Sequence, residues 1–164
     1  MGEMSWATAS PQATQELAEA LGRAARAGDV ILLQGPLGAG KTCFAQGFAR
    51  GLGVKTVVKS PTFVLVTQHQ GRVPLTHVDL YRIEGAHSLD ELGLEERGEG
   101  TVLLVEWGEK LATRLSDGLV VEIEVGEGDA RVLKPSPLGP RGREWLGDLD
   151  LDKATGVAVA RLES

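Results

Sequence analysis

Gly35-Pro36-Leu37-Gly38-Ala39-Gly40-Lys41-Thr42 fit the spacing G-x-x-x-x-G-K-[ST], in which each residue type has a separate chemical task. Glycines let a loop wrap a pyrophosphate with its backbone amides turned inward, because they tolerate dihedrals and close approaches that a Cβ obstructs. Lys41 would set its ammonium between the β- and γ-phosphates. Thr42 offers a hydroxyl to Mg²⁺, a hard cation that prefers oxygen ligands. The expected ligand is a nucleoside triphosphate with Mg²⁺. The pattern alone arises by chance in a chain with 22 glycines, so the elements around it decide its meaning.

Those elements are the required ones. The apolar run Val30-Ile31-Leu32-Leu33 reads as a buried strand leading into the loop, and from Lys41 the positions Phe44, Ala45, Phe48, Ala49 and Leu52 share one helical face. The amino end of that helix, with its positive dipole, would face the phosphates. Gly51 and Gly53 are expected to stop it. A second apolar run, Val102-Leu103-Leu104-Val105, ends in Glu106, which places a carboxylate at the carboxyl end of a central strand. Ligands gather at that end of an open α/β sheet, so Glu106 is the candidate Walker B acid, contacting Mg²⁺ directly or through water.

Elsewhere, Ser10-Pro11 reads as an N-cap and first helical proline, opening a helix with Ala13, Leu17, Leu21 and Ala24 at helical spacing. Phe63 to His69 and Val73 to Asp79 are β-prone runs separated by Gln70-Gly71-Arg72, an expected antiparallel hairpin. Ser88-Leu89-Asp90-Glu91 reads as a capping box opening a short helix. Leu119 to Val125 alternates, with Leu119, Val121, Ile123 and Val125 on one face, and turns at Gly126 to Asp129 into Ala130 to Lys134, a hairpin with one solvated face. Pro135, Pro137 and Pro140 are expected to break regular structure before a helix at Arg143 to Leu149. The chain is therefore read as one α/β domain over residues 1–164.

Composition bounds the function. A net charge of −6 and a pI near 5.1 argue against a broad basic surface tracking a nucleic-acid backbone. Lys55, Lys59, Arg72 and Arg82 read as scattered surface cations. No basic segment leads into an apolar run at the amino terminus, and no stretch approaches bilayer length, so the expected location is cytoplasmic, away from membranes. The single cysteine, Cys43, reads as a small packing residue without chemistry of its own. His69, His77 and His87 lack zinc-site spacing, which leaves them polar or packing roles.

A Ras-like GTPase identifies guanine with an Asn-Lys-x-Asp motif, and this chain contains no asparagine. Asp90-Glu91-Leu92-Gly93 matches the short D-x-x-G pattern of those proteins but falls in the expected helix, where it reads as coincidence. A small-molecule kinase stays open, with Arg141 and Arg143 as conceivable charge-stabilising arginines.

Four segments taken together go further. The phosphate loop, Ser60-Pro61-Thr62, His77-Val78-Asp79-Leu80-Tyr81-Arg82 and Leu104-Val105-Glu106-Trp107 resemble, in order and spacing, the TsaE ATPases of bacterial threonylcarbamoyladenosine tRNA modification. The resemblance covers roughly residues 10 to 135 and assigns no role to the tail 136–164. It implies a three-layer α/β P-loop NTPase fold with a mixed central sheet, parallel core strands being flanked by antiparallel hairpins. It implies a slow ATPase that works with TsaB and TsaD, hydrolyses MgATP to reset that complex between turnovers, and meets tRNA indirectly. By position, Gly38, Ala39, Gly40, Lys41, Thr42 and Cys43 would hold the phosphates, and Thr42 and Glu106 the metal. Asp79 becomes the candidate to position a metal-bound or attacking water, so that Lys41, Asp79 and Glu106 form the catalytic set. Trp107 would lie beside the nucleotide, Thr14 near the adenine, and Ser60 and Thr62 in a switch-like loop. Two positions depart from the family pattern: Cys43 stands where a second Thr is common, and Val78 where an aromatic precedes the Asp.

Overall fold

In the computed structural model, which describes residues 3–56, 58, 66–151 and 157–162, eight strands build one sheet. They are β1 (Glu3–Thr8), β2 (Val30–Gln34), β3 (Val66–His69), β4 (Leu75–Asp79), β5 (Val102–Glu106), β6 (Gly118–Val125), β7 (Arg131–Leu138) and β8 (Val157–Leu162). The helices are α1 (Pro11–Ala24), α2 (Lys41–Gly51), α3 (Gly85–Glu91), α4 (Leu94–Gly98) and α5 (Gly139–Gly147), with a 3₁₀ turn at Gly108–Lys110. Strand order is β3-β4-β5-β2-β6-β7-β1-β8. The core strands β4, β5, β2 and β6 run parallel, and β3, β7, β1 and β8 each join antiparallel, which is the mixed sheet expected.

Period-two alternation of the apolar core strands explains the layers. Ile31, Leu33, Leu104, Leu119 and Val121 face one side, where they meet Leu17, Leu21, Phe44 and Phe48 of α1 and α2 and Trp145 of α5. Leu32, Leu103, Val105 and Val78 face the other, under Leu89, Leu94, Leu111 and Leu115. The Ser10 hydroxyl caps α1 by accepting from the Ala13 amide at 3.1 Å, with Pro11 in the first turn, as expected. α1 and α2 approach so closely that a Cβ on Gly47 would stand 2.2 Å from the Gln15 carbonyl oxygen, and one on Gly51 2.2 Å from that of Glu19. α2 ends at Gly51 and the chain reverses at Gly53, with φ of +79°, as expected.

Several expectations are corrected. Ser88 to Glu91 forms the end of α3, not its start, because the chain turns into the helix earlier, at Gly85 in the left-handed region. Gly93 then separates α3 from α4, so Asp90 and Gly93 lie on either side of a helix end. Pro135 and Pro137 do not break β7. They pair with Val121 and Leu119 of β6, and they lie beyond Leu133, where pairing with β1 ends, so the N–H each lacks has no ladder to serve. Pro140 opens α5, which runs Gly139–Gly147 instead of 143–149. In β6, Gly118 to Val121 is buried on both faces, whereas Val125 at its far end is half exposed, so the solvated face holds only for the distal half. β1 and β8 carried no expectation. The β3–β4 hairpin is as expected from Val66 onward; Phe63 to Leu65 lie outside the described residues.

Candidate nucleotide-binding site

β2 ends at Gln34 and α2 begins at Lys41, so Gly35 to Gly40 form the connection at the carboxyl end of the parallel strands. Gly38 and Gly40 sit at φ of +81° and +101°, where a side chain is strained whatever the space around it. Gly40 is the N-cap of α2, and no side chain caps that helix. Its first-turn amides therefore have no side-chain acceptor, which is the condition a helix end needs to hold an anion.

Lys41 is buried, and its Nζ donates to the carbonyls of Gly35 at 2.7 Å and Pro36 at 2.9 Å. The same ammonium stands 3.9 Å from the centroid of the Trp107 ring. Desolvation lowers the Lys41 pKa, opposed by the negative charges of Glu106, Glu109 and Asp79. The loop's cation is held by carbonyl dipoles and an aromatic face.

Sheet register places the acids. Leu33 of β2 lies opposite Glu106 of β5, which lies opposite Asp79 of β4, so both carboxylates border the root of the phosphate loop. Glu106 is buried and its Oε2 is 2.6 Å from Nε2 of the fully buried His77. Asp79 is only partly buried, and its Oδ1 accepts from the Tyr81 amide at 2.8 Å, so it also caps the turn after β4. That turn is clamped by Lys110, whose Nζ donates to the carbonyls of Leu80, Tyr81 and Ile83.

Trp107 follows Glu106 with φ of +61°, the one positive φ outside glycine among the described residues. For a bulky residue this conformation costs on the order of 1–3 kcal/mol, and such strain tends to cluster at functional sites. The turn lays the indole beneath Lys41 and 4.9 Å from the exposed Tyr81 ring.

The structure thus brings together Gly38, Ala39, Gly40, Lys41, Asp79, Glu106 and Trp107. Thr42 and Cys43 follow in the first turn of α2, where the Cys43 thiol donates to the Pro11 carbonyl at 3.3 Å and is half buried rather than packed inside. Thr14 stands to the side on α1, its buried hydroxyl 2.7 Å from that of Thr8. Ser60 and Thr62 lie outside the described residues. Residue types alone gave no role to His77, Lys110 or Arg131. His77 lies inside the H-x-D-L-Y-R segment, which was the available signal; the other two act through carbonyls distant in sequence. Arg72, expected as a surface cation, donates to the carbonyls of Gly22, Arg23 and Ala25 at the end of α1.

The donor set suits Mg²⁺. Thr42 brings a hydroxyl and Glu106 and Asp79 bring carboxylates, all hard oxygen ligands, and no group of three or more His, Cys, Asp or Glu that could hold a metal by themselves occurs among the described residues. A cation held by one or two protein oxygens plus substrate phosphates matches such a set.

Loop, helix end and strand-end acid on a three-layer mixed sheet place the chain in the P-loop NTPase class of α/β proteins. The family described as threonylcarbamoyl adenosine biosynthesis protein TsaE matches residues 8–133. The chain belongs to the TsaE family. The tRNA threonylcarbamoyladenosine biosynthesis protein TsaE of Bacillus subtilis is 39% identical over 145 residues, which cover 86% of this chain and 90% of that protein. Its namesake from Mycobacterium tuberculosis is 44% identical over 131 residues, covering 73% and 78%. The crystal structure of YdiB from Bacillus subtilis superposes with a TM-score of 0.74 at 34% identity, covering 90% of this chain and 95% of that one. No described helix is long and apolar enough to cross a membrane.

Proposed function

We propose that this protein is an ATPase of tRNA threonylcarbamoyladenosine formation, acting as one P-loop domain in the cytoplasm with TsaB and TsaD. The backbone from Gly38 to Cys43 binds the phosphates, Lys41 leaves the Gly35 and Pro36 carbonyls for the β- and γ-phosphates, and Thr42 and Glu106 hold Mg²⁺, which supplies charge neutralisation when bound. Asp79 orients a water whose oxygen bonds to the γ-phosphorus as the bond to the bridging oxygen breaks and the water's proton passes to solvent, giving ADP and phosphate. Hydrolysis resets the partner complex between turnovers, and the threonylcarbamoyl transfer belongs to the partners. With a net charge of −6, this protein meets tRNA through them.

The observation that carries the reading is the register Leu33–Glu106–Asp79, which sets two carboxylates beside the loop that presents Lys41. Family membership supplies the pathway. The test is reconstitution of tRNA threonylcarbamoylation by TsaB and TsaD with and without this protein, counting products per complex. Many turnovers with it and about one without it support the reading; equal turnover removes it. In the same reaction, labelled γ-phosphate should appear as free phosphate, and its appearance on a metabolite would make the protein a kinase.

A further inference from the structure

Arg131, the first residue of β7, lies behind the phosphate loop and 92 residues from it in sequence. Its Nε donates to the Ala39 carbonyl at 2.9 Å and Nη2 is 3.5 Å from the Gly38 carbonyl. Nη1 donates to Gly128 and Ala130 at 2.8 Å each, so the guanidinium is itself fixed by the β6–β7 turn. One planar group therefore joins that turn to the loop.

The peptide unit is planar and trans, so a carbonyl and the following N–H point in opposite directions. Holding the Ala39 carbonyl against Arg131 directs the Gly40 amide away from Arg131. Gly40 has φ of +101° and no packing neighbour within 4 Å at the Cβ position, so nothing in its own side chain fixes that plane. Lys41 cannot do so during binding, because its ammonium is spent on the Gly35 and Pro36 carbonyls and must leave them to meet a phosphate. Arg131 holds a different carbonyl and, not being assigned to a phosphate, can keep its partners when the nucleotide binds.

We infer that Arg131 is a positioning residue for the phosphate loop, holding the Ala39 carbonyl outward so that the Gly40 amide faces the diphosphate of the nucleotide. This rests on the reading of the loop as the MgATP site. Acting through a backbone amide on the diphosphate, it contributes equally to ADP and ATP.

The test compares MgADP and MgATP binding by calorimetry for the wild type, Arg131→Ala, Arg131→Lys and Lys41→Ala, with melting curves of each nucleotide-free protein. Arg131→Ala should weaken both nucleotides by the same factor, about tenfold, as expected for one charge-assisted hydrogen bond. Its melting temperature should hold within a few degrees, Arg131→Lys should fall between, and added methylguanidinium should restore a large part of the lost affinity. Unchanged affinity in Arg131→Ala would overturn the inference. So would a loss confined to MgATP, which would make Arg131 a γ-phosphate contact, or a loss that methylguanidinium does not restore and a collapsed melting curve accompanies, which would make it a fold element only. If Lys41→Ala also binds both nucleotides like the wild type, the nucleotide site itself is misassigned, and the inference goes with it.

Discussion

His77 Nε2 and Glu106 Oε2 are 2.6 Å apart on neighbouring parallel strands, with both side chains buried. The ring donates through Nε2–H, while the buried Nδ1 has no partner among the described residues, so the side chain's one polar contact there is with the candidate metal carboxylate. A carboxylate free to rotate would spend part of its time aimed away from the metal; the imidazole holds one oxygen and leaves the other its direction. His77→Ala should therefore raise the Mg²⁺ concentration needed for half-maximal ATPase activity, by about 10- to 100-fold, the range found when an outer partner of a metal ligand is removed. His77→Gln, which can still donate, should recover part of the loss. Equal Mg²⁺ dependence in all three proteins would reduce His77 to packing.

Glu106→Gln keeps the shape of the side chain and removes its charge. MgATP binding should persist, weakened a few-fold, while ATP turnover in the presence of the partner proteins should fall by about 10²-fold or more. Single-turnover tRNA modification should survive. Normal multiple turnover by this variant would separate hydrolysis from function and leave the protein a nucleotide-dependent scaffold.

Lys41 Nζ sits 3.9 Å from the Trp107 ring centroid, and a phosphate held by the proposed loop site would compete for that ammonium. MgATP should therefore change the intrinsic fluorescence of the wild type, and Trp107→Phe should abolish the change. The remaining tryptophans, Trp6 and Trp145, are fully buried in the apolar core, so they should report little. A phenylalanine face keeps part of the cation–π contact, so the variant should bind within a few-fold of the wild type. An unchanged fluorescence response in Trp107→Phe would place Lys41's movement elsewhere.

Burial pushes the Cys43 thiol above its usual range, with Arg131 and Arg50 pulling it partly back. The sign is direct: a raised pKa leaves less thiolate at a given pH, so alkylation at neutral pH should be slower than for an unshielded cysteine. Its rate should keep rising with pH beyond the range where a free cysteine levels off. Because Cys43 lies in the first turn of α2, MgATP should slow the reaction further. A stopped reaction with iodoacetamide, followed by intact mass, measures both effects.

The tail is held by an ion pair whose carboxylate is buried and whose guanidinium is partly exposed. Arg141 Nε donates to Asp29 Oδ1 at 2.7 Å and Nη2 to Oδ2 at 2.8 Å, while Nη2 also meets the Ala24 carbonyl at the end of α1. Arg141→Ala leaves the Asp29 carboxylate buried without that partner and should cost about 3–5 kcal/mol, read as a lowered denaturation midpoint. Trp145→Ala, which empties a fully buried site beside Phe48, should cost a similar ~3–5 kcal/mol. Nucleotide affinity should change little in either, measured under conditions where the variants remain folded.

What could be read from the chain divides by the range of the interaction. Ser10-Pro11, the Val30 to Leu33 run with its loop, and Glu106 closing a second apolar run are local signals, and the structure places the elements where they point. Pro135 and Pro137 misled because a proline is tolerated or not according to whether a neighbouring strand needs its N–H, and that neighbour, β1, lies more than a hundred residues earlier in the chain. Ser88 to Glu91 has the composition of a helix start, but Gly85 turned the chain first. His77 and Arg131 become site residues only when β4 meets β5 and the β6–β7 turn meets the loop. No spacing within one segment encodes either meeting. The tail, which the family resemblance left without a role, delivers Trp145 and Arg141 to the core for the same reason.

The prolines of β7 have a further effect outside the nucleotide site. Where pairing with β1 ends at Leu133, the margin of β7 would otherwise offer a run of backbone donors to any extended segment that drifted against it. Pro135 and Pro137 withhold the donors on alternate residues, so a second chain cannot knit itself onto that margin. At high concentration, or while the chain is newly made, this favours separate molecules over fibrous aggregates.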